Sequence, residues 1–262
     1  MSKNENHLIK PDWPAADTVY AFSTTRHTAA NTGSSQGVYS SYNLAQHVGD
    51  DPLHVQKNRQ QLVKQLNLPA EPLWLEQVHG TEVINAAQMA TQPQTNIDQR
   101  IPPRADASYS THASTVCAVM TADCLPVLVC NRKGNKVAAA HAGWRGLAAG
   151  VIETTILALN EEPSEILVWL GPAIGPRVFE VGEDVRNAFV DELAVSENAF
   201  KVSRPGHYLA DIYQLARLRL KRLGMDAVYG GGYCTYTDKD RFYSYRREAK
   251  TGRQASLIWF SE

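Results

Sequence analysis

The 262-residue chain has no run of like charge: 26 basic residues stand against 27 acidic ones, for a net charge of −1. Binding to nucleic acid needs a basic face against the phosphates, so that class is excluded and a small-molecule partner is expected. No stretch approaches the roughly 18 consecutive apolar residues that span a membrane, so no membrane partner is expected. The opening MSKNENHLIKPDWPAADTVYAF is polar, carries Pro11 and Pro14 and has no apolar signal core, so a soluble, cytoplasmic protein is expected. Cysteine is scarce. Four do not make a disulfide scaffold at this length, and three of them, Cys117, Cys124 and Cys130, share one apolar segment, so reduced thiols are expected. Internal repeats and low-complexity tracts are absent too, which excludes repeat arrays.

What is present is 44% apolar residues, enough to bury a substantial core in one domain, with residues 1–17 read as an irregular lead-in. A monomer is expected. TVYAFST reads as a strand, and the Gly-, Ser- and Asn-rich stretch after it as a long loop. DDPLHVQKNRQQLVKQLNLP has an acidic start, Pro52 in the first turn and Val55, Leu62 and Leu66 at helical spacing, so a helix is expected there. EPLWLEQVHGTEVINA suggests two short strands around Gly80, and residues 88–104, with three prolines, an irregular segment. Further on the pattern predicts a strand over 115–130, the strand KVAAAHAG, a helix over 145–160 and the strand EILVWLG. Helices over 183–193 and 208–223 and the strands DAVYGGGYC and ASLIWF follow. Alternation of this kind implies a layered, mixed α/β protein with buried strands.

Three polar residues interrupt apolar strands: His79 in LEQVHGTEV, Cys124 in TADCLPVL and His141 in VAAAHAGWRG. Taken singly, each has a structural explanation, since a free cysteine behaves as a small hydrophobe. Together, with Gly80, Gly143 and Gly146 beside the histidines, they form a set of two imidazoles and one thiolate that suits zinc. Three ligands leave a fourth position open, the pattern of a catalytic site. The spacings of 45 and 17 residues match no compact zinc finger, so only the fold brings the three together. Copper is the alternative if a weak axial ligand such as Met120 is at hand. In a third reading Cys124 is the nucleophile of a cysteine hydrolase or amidase, activated by His79 or His141.

QVHG, TADCLPVL, HAGWRGL, GPAIG with FEVGEDV, and CTYTDKDRFYSYRREAKTGRQASLIW run in order from about Tyr20 to Trp259. As a set they resemble the laccase-domain, or YfiH-like, family. Its members are described as purine nucleoside phosphorylases with adenosine deaminase activity, and some carry a polyphenol-oxidase label. The resemblance implies a four-layer α/β/β/α arrangement around a mixed β-sandwich, and a metal, usually zinc, held by His79, Cys124 and His141. It also implies a purine nucleoside and phosphate as partners, and carries the family's N-terminal arginine onto Arg26, with Asn43 and Leu44 further on. Between them the chain departs from the family: HTAANTGSSQGVYSS replaces a shorter turn with paired glycines, which bears on substrate preference.

Deamination needs a carboxylate to shuttle protons. Asp123, beside Cys124, is the first candidate, provided the strand bends there, and Glu76 is the fallback. Phosphorolysis needs a held anion, for which the turn at Gly143, Arg145 and Arg26 are candidates. Arg246, Arg247 and Arg253 read as surface or strand-capping charges, and Trp144 and Tyr243 as packing residues.

Overall fold

The computed structural model describes residues 7–28, 32–90 and 101–262. The parts of the expected lead-in, long loop and irregular segment at 1–6, 29–31 and 91–100 lie outside the described residues. In chain order come β1 (Leu8–Ile9), β2 (Val19–Thr24), α1 (Pro52–Leu66), β3 (Val83–Asn85), α2 (Ala86–Ala90), β4 (Ala107–Ser110), β5 (Cys117–Thr121) and β6 (Leu125–Asn131). Then follow β7 (Val137–Ala142), α3 (Trp144–Ala149), α4 (Val151–Leu159), β8 (Ile166–Leu170), β9 (Glu180–Gly182) and α5 (Glu183–Val190). Last are β10 (Phe200–Arg204), β11 (His207–Ala210), α6 (Ile212–Arg222), β12 (Val228–Gly230) and β13 (Gln254–Phe260). The expected mixed α/β class is what the structure has. Among the described residues no helix is long and apolar enough to cross a membrane.

Two sheets carry the core. One has the order β1-β2-β13-β5 and the other β12-β8-β6-β7-β4-β3, while β10-β11-β9 forms a small third sheet. Side chains alternate along each strand, so each sheet sends one set inward and one outward. Cys117 and Val119 of β5, Ile258 and Phe260 of β13, Val137 and Ala139 of β7, and Leu167 and Trp169 of β8 share one buried cluster between the sheets. The opposite set of the larger sheet, including Val127, Ala138, Ala140 and Val168, packs on Val151, Ile152 and Ile156 of α4 and Leu215 of α6. The outer set of the smaller sheet, Ala118, Met120, Leu257 and Trp259, meets Leu62 of α1. Each fully buried aliphatic side chain contributes about 1.5–3 kcal/mol, so these faces set the register of every strand.

The apolar run expected as one strand is two. After Thr121 the chain bends over residues 122–124, and β5 and β6 belong to different sheets. Asp123 turns the corner with φ +96, a conformation rarely taken by residues with a side chain. The helix expected over 145–160 is also broken, because Gly150 takes φ +99, closes α3 through its N–H to Gly146 and Leu147, and lets α4 start afresh. Tyr208 lies in a strand rather than a helix: β10 and β11 pair as a hairpin, Gly206 in the turn takes φ +72, and α6 starts only after Asp211, whose side chain accepts from Gln214 N at 3.0 Å. Of the two strands expected around Gly80, only β3 forms; Leu73 and Glu76 make single bridges to Cys117 and Arg104. By contrast α1 follows its signals, with Asp51 accepting from Leu53 N at 2.8 Å and Asn67 closing the far end in a left-handed conformation.

Candidate metal centre

The corner between the sheets delivers Cys124, and the end of β7 delivers His141. His141 shares the parity of Val137 and Ala139, so it stands on the face between the sheets. His79 comes from the loop before β3 and has φ +62. One ligand atom from each of His79, Cys124 and His141 falls within a group whose members all lie within 4.8 Å of one another. Cys124 Sγ is 3.8 Å from His79 Nε2, and the two imidazoles meet edge to face with centroids 4.8 Å apart. His79 is exposed, Cys124 half-buried and His141 buried, so the cluster opens to solvent on the His79 side.

Asp106 organises it. This carboxylate, 0% exposed, accepts from His79 N at 2.9 Å and His141 Nδ1 at 2.8 Å on Oδ1, and from Val78 N at 3.1 Å and Gly80 N at 2.6 Å on Oδ2. Three successive backbone N–H groups wrapped around one anion hold His79 in its left-handed conformation. The same carboxylate fixes the His141 tautomer and leaves Nε2 for the cluster, which is how metal-ligating histidines are supported. Asp106 escaped the sequence reading, because its partners lie 26 to 35 residues away and RADASYS carries no pattern that marks it.

Two glycines set the approach distances. A Cβ on Gly143 would stand 2.7 Å from His79 Cδ2 and 3.1 Å from Cys124 Sγ, and one on Gly146 would stand 2.7 Å from the Gly80 carbonyl. Only glycine lets α3 close over the cluster.

Burial raises the Cys124 pKa, but the charge of His141 and hydrogen bonds from His141 and His79 outweigh it and hold the thiol at about 6. Burial lowers the His141 pKa, and the Cys124 charge and the Asp106 hydrogen bond reverse this, to about 9. The metal-free cluster is thus a thiolate beside an imidazolium, and one proton, that of the imidazolium, leaves when an ion takes the two groups as ligands. Cys117 and Cys130 are the opposite case: both are buried in the core and pushed by burial up to about 12. Thiolate and imidazole donors suit zinc, and ligands about 2.0–2.3 Å from one ion stand roughly 3.3–3.8 Å apart, close to the observed Cys124–His79 separation. The residues fit a borderline-soft metal.

The other expected site residues are placed differently. Asp123 is 9% exposed, and its carboxylate accepts from Thr235 Oγ1 at 2.6 Å, Ser244 Oγ at 3.0 Å and Arg246 N at 2.7 Å, so it knits the corner to the segment before β13. Arg26 donates to the carbonyls of Ser40 and Lys239 and stacks on Tyr243, fastening the long loop. Asn43 is fully buried and bonds Ala45, Asp50 and Arg253 N. Arg145 is exposed and lies over the Trp144 ring at 4.2 Å. Glu76 is exposed and pairs with Arg104.

Residues 20–261 match a family model described as multi-copper polyphenol oxidoreductase laccase. The chain is 53% identical over 252 residues to the Escherichia coli protein named purine nucleoside phosphorylase YfiH, covering 96% of this chain and 98% of that one. A purine nucleoside phosphorylase of Pseudomonas aeruginosa is 51% identical over 98% of this chain and 100% of its own length. Among solved structures, a Neisseria meningitidis protein superposes with a TM-score of 0.89 at 48% identity, over 98% of this chain and 100% of that one. YlmD of Geobacillus stearothermophilus superposes at 0.88 and 29% identity, over 100% of this chain and 98% of that one.

Proposed function

The chain belongs to the multi-copper polyphenol oxidoreductase laccase family, and from that premise and its donor cluster we propose that it is a metal-dependent purine nucleoside phosphorylase. The observation that carries the reading is the convergence of His79, Cys124 and His141 under Gly143, in a chain half identical to proteins named for that activity. The proposed substrates are adenosine, inosine and methylthioadenosine, cleaved to the base and the corresponding ribose 1-phosphate. Adenosine deamination is proposed as a second activity of the same site.

Zinc bound by these three residues would supply a Lewis acid with an open position at the solvent-facing side. The chain's own groups do the rest. Asp106 orients His141 and the loop of His79, and Gly143 leaves room above Cys124. In phosphorolysis a phosphate oxygen forms a bond to C1′ as the bond from C1′ to the base nitrogen breaks, and the base leaves with the bonding pair and takes up a proton. Asp123, whose oxygens are engaged by three protein donors, is assigned to shaping the corner rather than to the proton shuttle that deamination needs.

The test is hypoxanthine release from inosine with and without phosphate. Release that requires phosphate and yields ribose 1-phosphate is expected; equal release without phosphate, giving free ribose, would make the protein a hydrolase. Copper-dependent phenol oxidation is the second reading, favoured by the family description. Against it, Met120 packs into the outer cluster with Leu44 and Trp259, and the donor set among the described residues is one group of three.

A further inference from the structure

We propose that Arg253, with Arg59 and His47, forms an anion subsite beside the donor cluster that takes inorganic phosphate, an inference that rests on the phosphorylase reading. Strand register places Arg253. Gln254 of β13 pairs with Thr121 of β5, so residue 253 stands at the end of the sheet where the chain leaves β5 for Asp123 and Cys124. Its backbone is fastened on both sides, N–H to Asn43 Oδ1 at 2.9 Å and carbonyl to Leu44 N at 3.3 Å. Arg59 of α1 reaches the same residue, with Nε donating to the Leu44 carbonyl at 2.9 Å. His47 follows three residues later. Two guanidinium groups and an imidazole that burial and the two arginines keep neutral thus meet around one short stretch, with Arg253 nearest the cluster.

The charges sense one another and the cluster. Cys124 and Asp123 act on the Arg253 charge, and Arg253 and Arg59 both act on His47. Yet neither arginine makes an ion pair among the described residues. Arg253 Nη1 donates to the Thr251 and Gly252 carbonyls at 3.0 Å, its guanidinium lies over Tyr245 at 5.9 Å, and Nε and Nη2 have no acceptor among the described residues. Arg59 lies over the Trp74 ring at 4.2 Å and makes no ion pair among the described residues. The carboxylates in the neighbourhood are engaged elsewhere: Asp123 as above, Asp50 by Ser35 and Asn43, and Glu71 by Trp74 Nε1, although its charge still reaches Arg59. Burial disfavours both guanidinium charges. Two half-buried cations that make no ion pair among the described residues are costly unless a ligand supplies an anion, and a dianion with several acceptor oxygens matches their free donors. Arg145, exposed and stacked on its neighbour in a helix of six residues, offers no such convergence.

Arg253→Ala and Arg253→Lys test this, with metal content and the unfolding transition measured on each. In Arg253→Ala the KM for phosphate is expected to rise about tenfold to a hundredfold while the KM for inosine stays within about twofold and metal content is unchanged. Arg253→Lys keeps the charge without the fork and recovers part of the loss. A merely structural role would not split the two KM values. Calorimetric titration of inorganic phosphate in the absence of nucleoside is expected to lose the same factor. Unchanged phosphate affinity in a folded, metal-replete Arg253→Ala protein overturns the subsite. Should that variant not fold, Arg59→Gln, which keeps a donor toward the Leu44 carbonyl, decides by the same split. If the wild-type protein cleaves no nucleoside, the phosphorylase reading falls, and the titration alone judges the subsite: binding that depends on Arg253 keeps it, and binding that does not removes it.

Discussion

Replacing Asp106 by asparagine changes one oxygen for an NH2 group and tests how the centre is built. In the wild type each carboxylate oxygen accepts two hydrogen bonds, His79 N and His141 Nδ1 on one, Val78 N and Gly80 N on the other. Whichever way the amide turns, two donors face a third donor. A buried donor left unsatisfied costs about 1–3 kcal/mol, and because residues 78 and 79 are exposed enough for water to compensate in part, the loss is set at about 2–4 kcal/mol. For a chain of this size that lowers the melting temperature by about 2–4 °C per kcal/mol. Metal affinity should fall about tenfold to a hundredfold, because His141 loses the partner that fixes its tautomer and His79 the anion that holds its φ. Urea unfolding of the metal-free protein and competition with a chromophoric chelator measure the two effects separately. A variant within about 0.5 kcal/mol of wild type, binding metal as tightly, would show that Asp106 is not the organiser described here.

Cys124→Ala should abolish bound metal and activity together while the chain stays folded, since the corner is held by Asp123 and its three donors. Cys117→Ala should cost roughly 1 kcal/mol and leave metal content intact. Metal analysis of both purified variants decides, and full occupancy in Cys124→Ala would return that residue to the core or to a nucleophile's role. In the metal-free protein, iodoacetamide should modify Cys124 at pH 7, where about nine-tenths of it is thiolate, with the rate falling as pH drops through about 6 and proton binding removes the nucleophile. Cys234 should be the second thiol to react, since it is half-buried and hydrogen bonds from Thr237 and neighbouring backbone N–H groups outweigh the burial that would raise its pKa. Cys117 and Cys130 should stay unmodified, and peptide mapping that found them labelled alongside Cys124 would refute the assignment.

The three metal-binding candidates were legible because a polar residue inside an apolar run is conspicuous, and the flanking glycines marked close approach. Their supporting groups were not. Asp106 acts through backbone N–H groups, which no side-chain pattern records, and Arg253 gains its meaning only from the pairing of Gln254 with Thr121. The break between β5 and β6 was hidden because both strands are buried on both faces, so no change of period marks the corner. The β10–β11 hairpin did announce itself, in Pro205-Gly206, but Tyr208 and Leu209 also suit a helix start, and pairing with β9 settled the matter in favour of a strand. The helix break at Gly150 rests on a single residue whose alternative, a tolerated mid-helix glycine, fits the same apolar spacing.

The strand order has a consequence for when the centre comes into being. β13 lies between β2 and β5, so β5, and with it the corner that presents Cys124, has no neighbour in its own sheet until β13 arrives. Gln254 follows Cys124 by about 130 residues, and a ribosome adding about 5–20 residues per second needs on the order of ten seconds to cover them. For that interval the Cys124 thiol exists on a nascent chain without the geometry that holds it, open to oxidation or to a stray metal. Any metal loading of the centre would therefore be a late event in the life of the chain, and the redox state and metal supply during those seconds would bear on it.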